Sequence, residues 1–422
     1  MDLTPLAALV PGPPLAPVAL MGKGTFASAF DVDQAVFAAA AAANAAFGET
    51  TLSRARCVAL CKGEALVDGQ SVPVWADLSG YYETADRGFL QLHCNFPHHA
   101  AGAVAELGCE PTKSSVQAAV RQRDPAELEC ALVARGMIAA RLRTLAEWNE
   151  HPHAAATAEL PLITVERIGD GPPRDPARRL RVLDSSRVLA GPVAGMTFAA
   201  HGADVLRVGS RALPSVEIGV LVTGSGKRNA FVELDTAGGA QVMRRLLDSS
   251  DVWIDAYRPG AFAGRGFTLD SVTPGSIVVQ LSAFDWAGPW AGRRGFDSIV
   301  QSTTGIALAG SSAAGLQRPV PLPVQALDYC TGLLAAFAAR RLAEHQSHEG
   351  GTWLARLSLL RTRNWLTRMG GPHAFSPAPL APNPAEMQTV QTPFGDVTTA
   401  KPISGVWPHG PMPLGSSEAA WL

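Results

Sequence analysis

Between residues 180 and 284 short apolar runs alternate with helix-compatible segments, and this alternation restricts the fold more than any other feature of the chain. LRVLD (180–184), ADVLRV (203–208), NAFVELD (229–235), DVWID (251–255) and SIVVQLSAF (276–284) read as strands. AGPVAGMTFAAHG and TAGGAQVMRRLLDSS read as helices between them. Strands separated by helical crossovers of this kind form βαβ units, and hence a parallel sheet of the Rossmann-like α/β class. Two Ala-rich helices follow, around 297–309 and 324–345.

The first half has a different texture. DVDQAVFAAAAAANAAF (31–47) opens on Asp and continues as an Ala-rich helix. DPAELECALVARGMIAARL (124–142) has the Asp-Pro-x-Glu opening of a helix. VPVWADLSG and GFLQLHCNF between them read as short strands. GDGPPRDPARR (169–179) is the best linker in the chain. The expected organisation is a smaller α+β domain over 1–168, a linker over 169–179, a catalytic α/β domain over 180–345, and a Pro-rich, irregular tail over 346–422 that completes the fold.

The chain has 422 residues, 47% of them hydrophobic, ample for a large core, and a formal net charge of −2. Without a basic block, nucleic acid is not expected as a partner, because phosphate binding needs clustered Lys and Arg. The segment MDLTPLAALVPGPPLAPVAL carries an acid and is broken by prolines, a poor signal peptide and a poor span. A cytoplasmic protein without a membrane partner is the expectation. The six cysteines lie outside any Cys-x-x-Cys pair and are expected as core thiols.

Several motifs come close to known chemistry and fall short. In LVTGSGKRNA (221–230) a phosphate loop would need Gly at 221, which is Leu, and Ser or Thr after Lys227, where Arg228 stands. The segment is therefore either a turn before a strand or a place where Lys227 and Arg228 meet a ligand phosphate. No Gly-x-Gly-x-x-Gly follows LRVLD, and no Gly-x-Ser-x-Gly elbow occurs. His98-His99 and His151-x-His153 lack a third ligand at helical spacing, so no metal site is expected.

PVQALDYCTGLLAAFAARRL (323–342) sets one carboxylate, Asp328, in an apolar helix. An unpaired charge there is costly. By itself the residue is either a capping or ion-paired Asp or a functional one.

RVLDSSRVLAGPVAGMTFAAHGADVLRV, GKRNAFVELDTAGGAQVMRRLLDSSDVWIDAYRPGAFAGRGF, LSAFDWAGPWAGRRGFDSIVQSTTGIALAG and PVQALDYCTGLLAAF resemble, in order, the blocks of the family III CoA-transferases. The resemblance covers about 179 to 345. It implies a Rossmann-like large domain, an intertwined homodimer, and acyl-CoA and a carboxylic acid as substrates, with coenzyme A as substrate and no permanently bound cofactor. It places the family's nucleophilic aspartate at Asp328. It sets Val188, Leu189, Ala190 and Gly191 in the turn against CoA, and Ala256 near the nucleotide. Lys227, Arg228, Arg265 and Arg294 fall at basic positions; for Arg294 a solvated loop charge is the equal alternative.

The chain also departs from the family. Gly209 and Ser210 stand where an acid and Arg are common, with Arg211 one place later, and Gly264 stands one place before Arg265. Gly295-Phe296-Asp297 replaces the Gly-His-Asp of the racemase branch; Phe296 cannot exchange a proton, and Asp297 is expected to cap its own helix. RGFLQLHCNFPHHAAGAVAELGC and RTLAEWNEHPH resemble pieces of the family's small domain, here moved ahead of the large one as a lid over Asp328. The expected activity is CoA transfer between carboxylic acids; an acyl-CoA racemase or isomerase and a non-catalytic acyl-CoA binder are the competing readings.

Overall fold

In the computed structural model, which describes residues 1–381 and 383–422, the alternation resolves into a seven-stranded sheet. From one edge its strands are Arg228–Phe231, Asp204–Gly209, Arg181–Ser185, Val252–Asp255, Ile277–Ser282, Thr352–Ser358 and Thr164–Gly169. The first six are parallel and the last pairs antiparallel with Thr352–Ser358. Both faces are covered, which is why these strands are almost continuously apolar: Val182, Leu183, Ile277, Val278 and Val279 are fully buried.

Numbered by order in the chain, the parallel strands run three-two-one-four-five-six. Connections leave the Arg181–Ser185 strand toward one edge and the Val252–Asp255 strand toward the other. These two strands are neighbours, and their carboxyl ends open the crevice where sheets of this order bind ligands.

On one face lies the long helix Ala326–Glu349, flanked by Val32–Ala46 and Ala190–Ala200. Ala39 to Ala43 and Ala335, Ala336, Ala338 and Ala339 are buried, and small side chains let these helices approach closely. The other face is covered by Ala237–Asp248 with Phe262 and Phe267.

The smaller unit is a three-stranded antiparallel sheet, Gly80–Glu83, Phe89–Leu92 and Ala139–Arg141, packed on helices Pro97–Leu107, Lys113–Val120 and Pro125–Ala134. It has its own core of Leu90, Leu92, Val116, Val120, Leu128 and Leu132. Buried Glu129 pairs with Arg143 at 2.6 Å, just past the Ala139–Arg141 strand, and fastens the unit to the large one by pairing with Arg293 at 2.7 Å.

Several expectations need correction. The smaller unit is narrower than 1–168, because Val32–Ala46 joins the main core and Thr164–Gly169 joins the main sheet. The 169–179 segment is not a loose linker: Gln346 bonds the backbone of Pro172 and Arg174, and Arg178 pairs with Asp251. The 124–142 helix stops at Ala134, since Gly136 takes φ +76° and turns the chain into the Ala139–Arg141 strand. VPVWADLSG forms no strand before Gly80. The 297–309 helix breaks at Gly305, φ +88°, into Asp297–Thr303 and Ile306–Ala314. The tail is not irregular throughout, because Met387–Thr392 and Gly395–Ala400 form a hairpin that extends Leu66–Val67 and Gln70–Ser71. Four cysteines are buried, Cys109 is half-buried and Cys130 is exposed; all six are free. No described helix is long and apolar enough to cross a membrane.

Candidate active site

The turn after the first parallel strand builds the crevice. Val188 sits at φ +70°, a left-handed conformation costly for a β-branched side chain, by about 1–3 kcal/mol. Leu189 is the N-cap of the helix that Ala190 and Gly191 begin. Gly191 is required here, because a methyl would overlap the Ser186 side chain and press on Ala256. The structure thus brings Val188, Leu189, Ala190, Gly191 and Ala256 together at the switch point.

Asp328 enters the same place from the long helix. It lies in the first turn, 6% exposed, with no cationic partner among the described residues. The backbone N–H of Ala190 faces its carboxyl. Gly332, one turn on, permits this approach: a Cβ there would overlap the Ala190 carbonyl oxygen and stand 2.7 Å from Val193 Cβ. Gly332→Ala is expected to destabilise the protein by about 1–3 kcal/mol through overpacking, checked by denaturant titration.

Asp297 does something sequence reasoning missed. Its carboxylate accepts the backbone N–H of Asp328 at 2.9 Å and faces that of Leu327. Gln325, the N-cap of the long helix, makes no side-chain cap bond. Asp297 therefore caps the long helix rather than its own, supplying the negative charge that a helix start favours. Gln301 fixes it, donating to Asp297 while its own oxygen accepts from Leu322 N at 2.7 Å.

Two carboxyls now share a buried space. Burial pushes Asp297 up to about 6. Burial and the neighbouring Asp297 push Asp328 well above the usual carboxylate range, while the Ala190 N–H opposes the shift. Carboxyls with raised folded pKa values stabilise the fold fully below their unfolded value, near 3.8. That contribution is lost as pH rises toward 6 for Asp297, and as pH rises through the raised pKa of Asp328. Asp328→Asn, which ends the repulsion, should therefore gain stability over wild type progressively from pH 4 to pH 7, seen by thermal melts at each pH.

The basic positions divide. Lys227 is fully buried, its Nζ 2.9 Å from Asp184 Oδ2 and 3.1 Å from Pro192 O. Arg228 holds Asp204 at 2.8 Å and Ala420 O at 2.6 Å. Both are held in pairs within the fold. Arg265 is exposed and pairs with Asp235 at 2.9 Å, a surface pair that gives way easily. Arg294 is exposed and has no carboxylate partner among the described residues.

Three further arginines near the crevice were not singled out from the sequence. Arg258 lies close enough to Arg294 to repel its charge, and Arg294 and Arg207 do the same to Arg187. None of these three forms a salt bridge among the described residues. The signal for Arg258 was its place in DAYRPG, two residues after Ala256; nothing in the local sequence marked Arg187 or Arg207. The smaller unit closes one side, with His93 4.2 Å from Phe296, ring to ring, and Phe96 under Arg187 at 5.0 Å. Among the described residues no cluster of His, Cys, Asp or Glu could hold a metal.

Fold and site together define an α/β protein with a buried carboxyl at the switch point of its sheet that has no ion-pair partner among the described residues. The chain belongs to CoA-transferase family III, whose pattern matches residues 178–396. It is 30% identical over 231 residues to the acetyl-coenzyme A transferase nodX of Hypoxylon pulicicidum, covering 53% of this chain and 36% of that one. It is also 30% identical over 198 residues to the succinate–glutarate CoA-transferase of Agrobacterium fabrum, covering 42% and 49%. The chain thus spans half or less of the length of these curated relatives. A crystal structure of Rv3272 from Mycobacterium tuberculosis aligns with a TM-score of 0.43 at 28% identity, over 47% of this chain and 57% of that one.

Proposed function

We propose that the protein transfers CoA from an acyl-CoA to a carboxylic acid, with Asp328 as the nucleophile. The observation that carries this reading is the Asp328 carboxyl, unpaired, against the Ala190 N–H at the switch-point crevice. A carboxyl oxygen attacks the thioester carbon; the C–O bond forms, the C–S bond breaks, and CoA leaves as thiolate. The thiolate then attacks the aspartyl carbonyl, releasing the first acid as carboxylate and leaving an aspartyl-CoA thioester. An acceptor carboxylate attacks that thioester, and the freed thiolate collects the acceptor's acyl group, restoring Asp328. No net proton is required.

The Ala190 N–H, at the start of its helix, opposes the rise that burial and Asp297 impose on Asp328 and so supports its ionised, attacking form. Burial shields the anhydride from water. Exposed Arg258, Arg265 and Arg294 are suited to CoA phosphates, and Val188 to Gly191 with Ala256 to the pantetheine or nucleotide. The intertwined homodimer rests on the family likeness.

The test is mass measurement after mixing with several acyl-CoAs. A CoA adduct on Asp328, removed by hydroxylamine, supports transfer. Solvent deuterium at the acyl α-carbon without an adduct would instead indicate racemisation, and neither outcome would indicate simple binding. The single-turnover rate should rise with pH as Asp328 ionises. Asp297→Asn, which keeps an acceptor for the helix start but removes the like charge, should move that rise to lower pH.

A further inference from the structure

Gln301 is fully buried and lies one turn after Asp297 on the helix Asp297–Thr303. Its side-chain amide spans two elements. Nε2 donates to Asp297 Oδ1, and Oε1 accepts the backbone N–H of Leu322 at 2.7 Å. Leu322 stands shortly before Gln325, the N-cap of the long helix. Gln301 thus ties Asp297 to the chain leading into the helix start that Asp297 caps. The Leu322 N–H needs an oxygen, so the end of the amide that faces Asp297 is the donating one.

Asp297 is consequently met by the N–H groups of Gln301, Asp328 and Leu327. Asp328 is met by the Ala190 N–H. Donated hydrogen bonds favour the ionised form of a carboxyl, and a like charge in the same buried space disfavours it. The pair therefore divides its charge unequally, in favour of Asp297. The other titratable groups facing the pair are Tyr81 and Cys330 beside Asp297 and Tyr329 beside Asp328. Burial pushes all three up, so they add no charge at neutral pH.

Building on the transferase reading, we propose that Gln301 is a positioning residue that keeps Asp297 the charged member of the pair and leaves Asp328 the more basic, more nucleophilic one. In the resting protein Asp328 holds a proton, which passes to solvent before attack and returns when the cycle closes. The ionised Asp328 then faces an ionised Asp297. As an Asp328 oxygen bonds the thioester carbon, the C–S bond breaks and its electron pair leaves with the CoA sulfur. The charge on Asp328 is gone and the repulsion with it, so formation of the anhydride relieves a strain present in the free carboxylate.

Infrared difference spectra of the full chain test this without substrate. Wild type minus Asp328→Asn isolates the protonated band of Asp328, and its loss with rising pH gives a midpoint. Gln301→Met, compared with its own Asp328→Asn double variant, should lower that midpoint by about one pH unit or more, because Asp297 then takes the proton itself. Single-turnover adduct formation from acetyl-CoA should shift alike, with a plateau about threefold slower per unit, since nucleophilicity falls with pKa. In an Asp297→Asn background Gln301→Met should shift nothing further. An unchanged midpoint in folded Gln301→Met would overturn the proposal, and so would an equal shift with and without the Asp297 carboxyl. Should Gln301→Met not fold, Asp297→Asn alone decides, and an unchanged midpoint there overturns the proposal too. If no acyl-CoA labels Asp328 the transferase reading fails, and the infrared midpoints still decide on Gln301.

Discussion

Asp328→Asn is expected to lower CoA transfer by at least about 10⁴-fold, the scale seen when a covalent nucleophile is removed, while the protein stays folded. The two halves of that expectation come from the same geometry. An amide cannot form the anhydride, so the covalent route closes. The amide still fits a space shaped for a carboxyl, and it no longer repels Asp297. A structural aspartate would behave in the opposite way, with stability falling and activity falling only in proportion. Steady-state transfer and thermal melts on one preparation separate the two. Undiminished turnover in this variant would remove the basis of the functional reading.

Lys227→Met should cost about 3–5 kcal/mol of stability, because it removes the one salt-bridge partner that Asp184 has among the described residues, in a fully buried site. Asp184 lies near the carboxyl end of the Arg181–Ser185 strand: it accepts from Lys227 and from Ser186, and Gly195 is small enough to admit it. The loss belongs to the stranded carboxylate, so Lys227→Met combined with Asp184→Leu should recover most of it. A double-mutant cycle read by denaturant titration gives the coupling directly. A ligand-binding lysine would show little stability change and a weakened affinity for CoA. The same cycle therefore also tests the ligand-binding role expected for Lys227.

The strand-and-helix alternation of 180–284 was legible because parallel strands buried on both faces must be apolar along their length, and that leaves a direct mark in the residues. Asp328 was legible for the complementary reason: a lone carboxyl in an apolar helix stands out against its background. The family blocks around it added order to what each segment alone left open.

The harder features depend on pairings across the chain. Asp297 was expected to cap its own helix, as a residue opening a helix usually does. Its true partner is the Asp328 N–H, 31 residues later, and no local pattern records that distance. Lys227 and Arg228 looked like a phosphate-binding pair because adjacent cations are an anion's usual partner. In the fold their charges are met by Asp184 and Asp204, which lie in two different strands. The hairpin over 387–400 was hidden by the prolines before it and by a partner strand more than 300 residues earlier.

The sequence by itself determined the layered sheet, and it marked the lone carboxyl at 328 that the proposed function rests on, because burial constrains residue type position by position. Only the tertiary structure decided which charges are satisfied within the protein and which remain for a ligand. Ion pairing depends on which side chains meet across strands and helices, and those meetings are set by register, crossover and close packing rather than by neighbours in the chain.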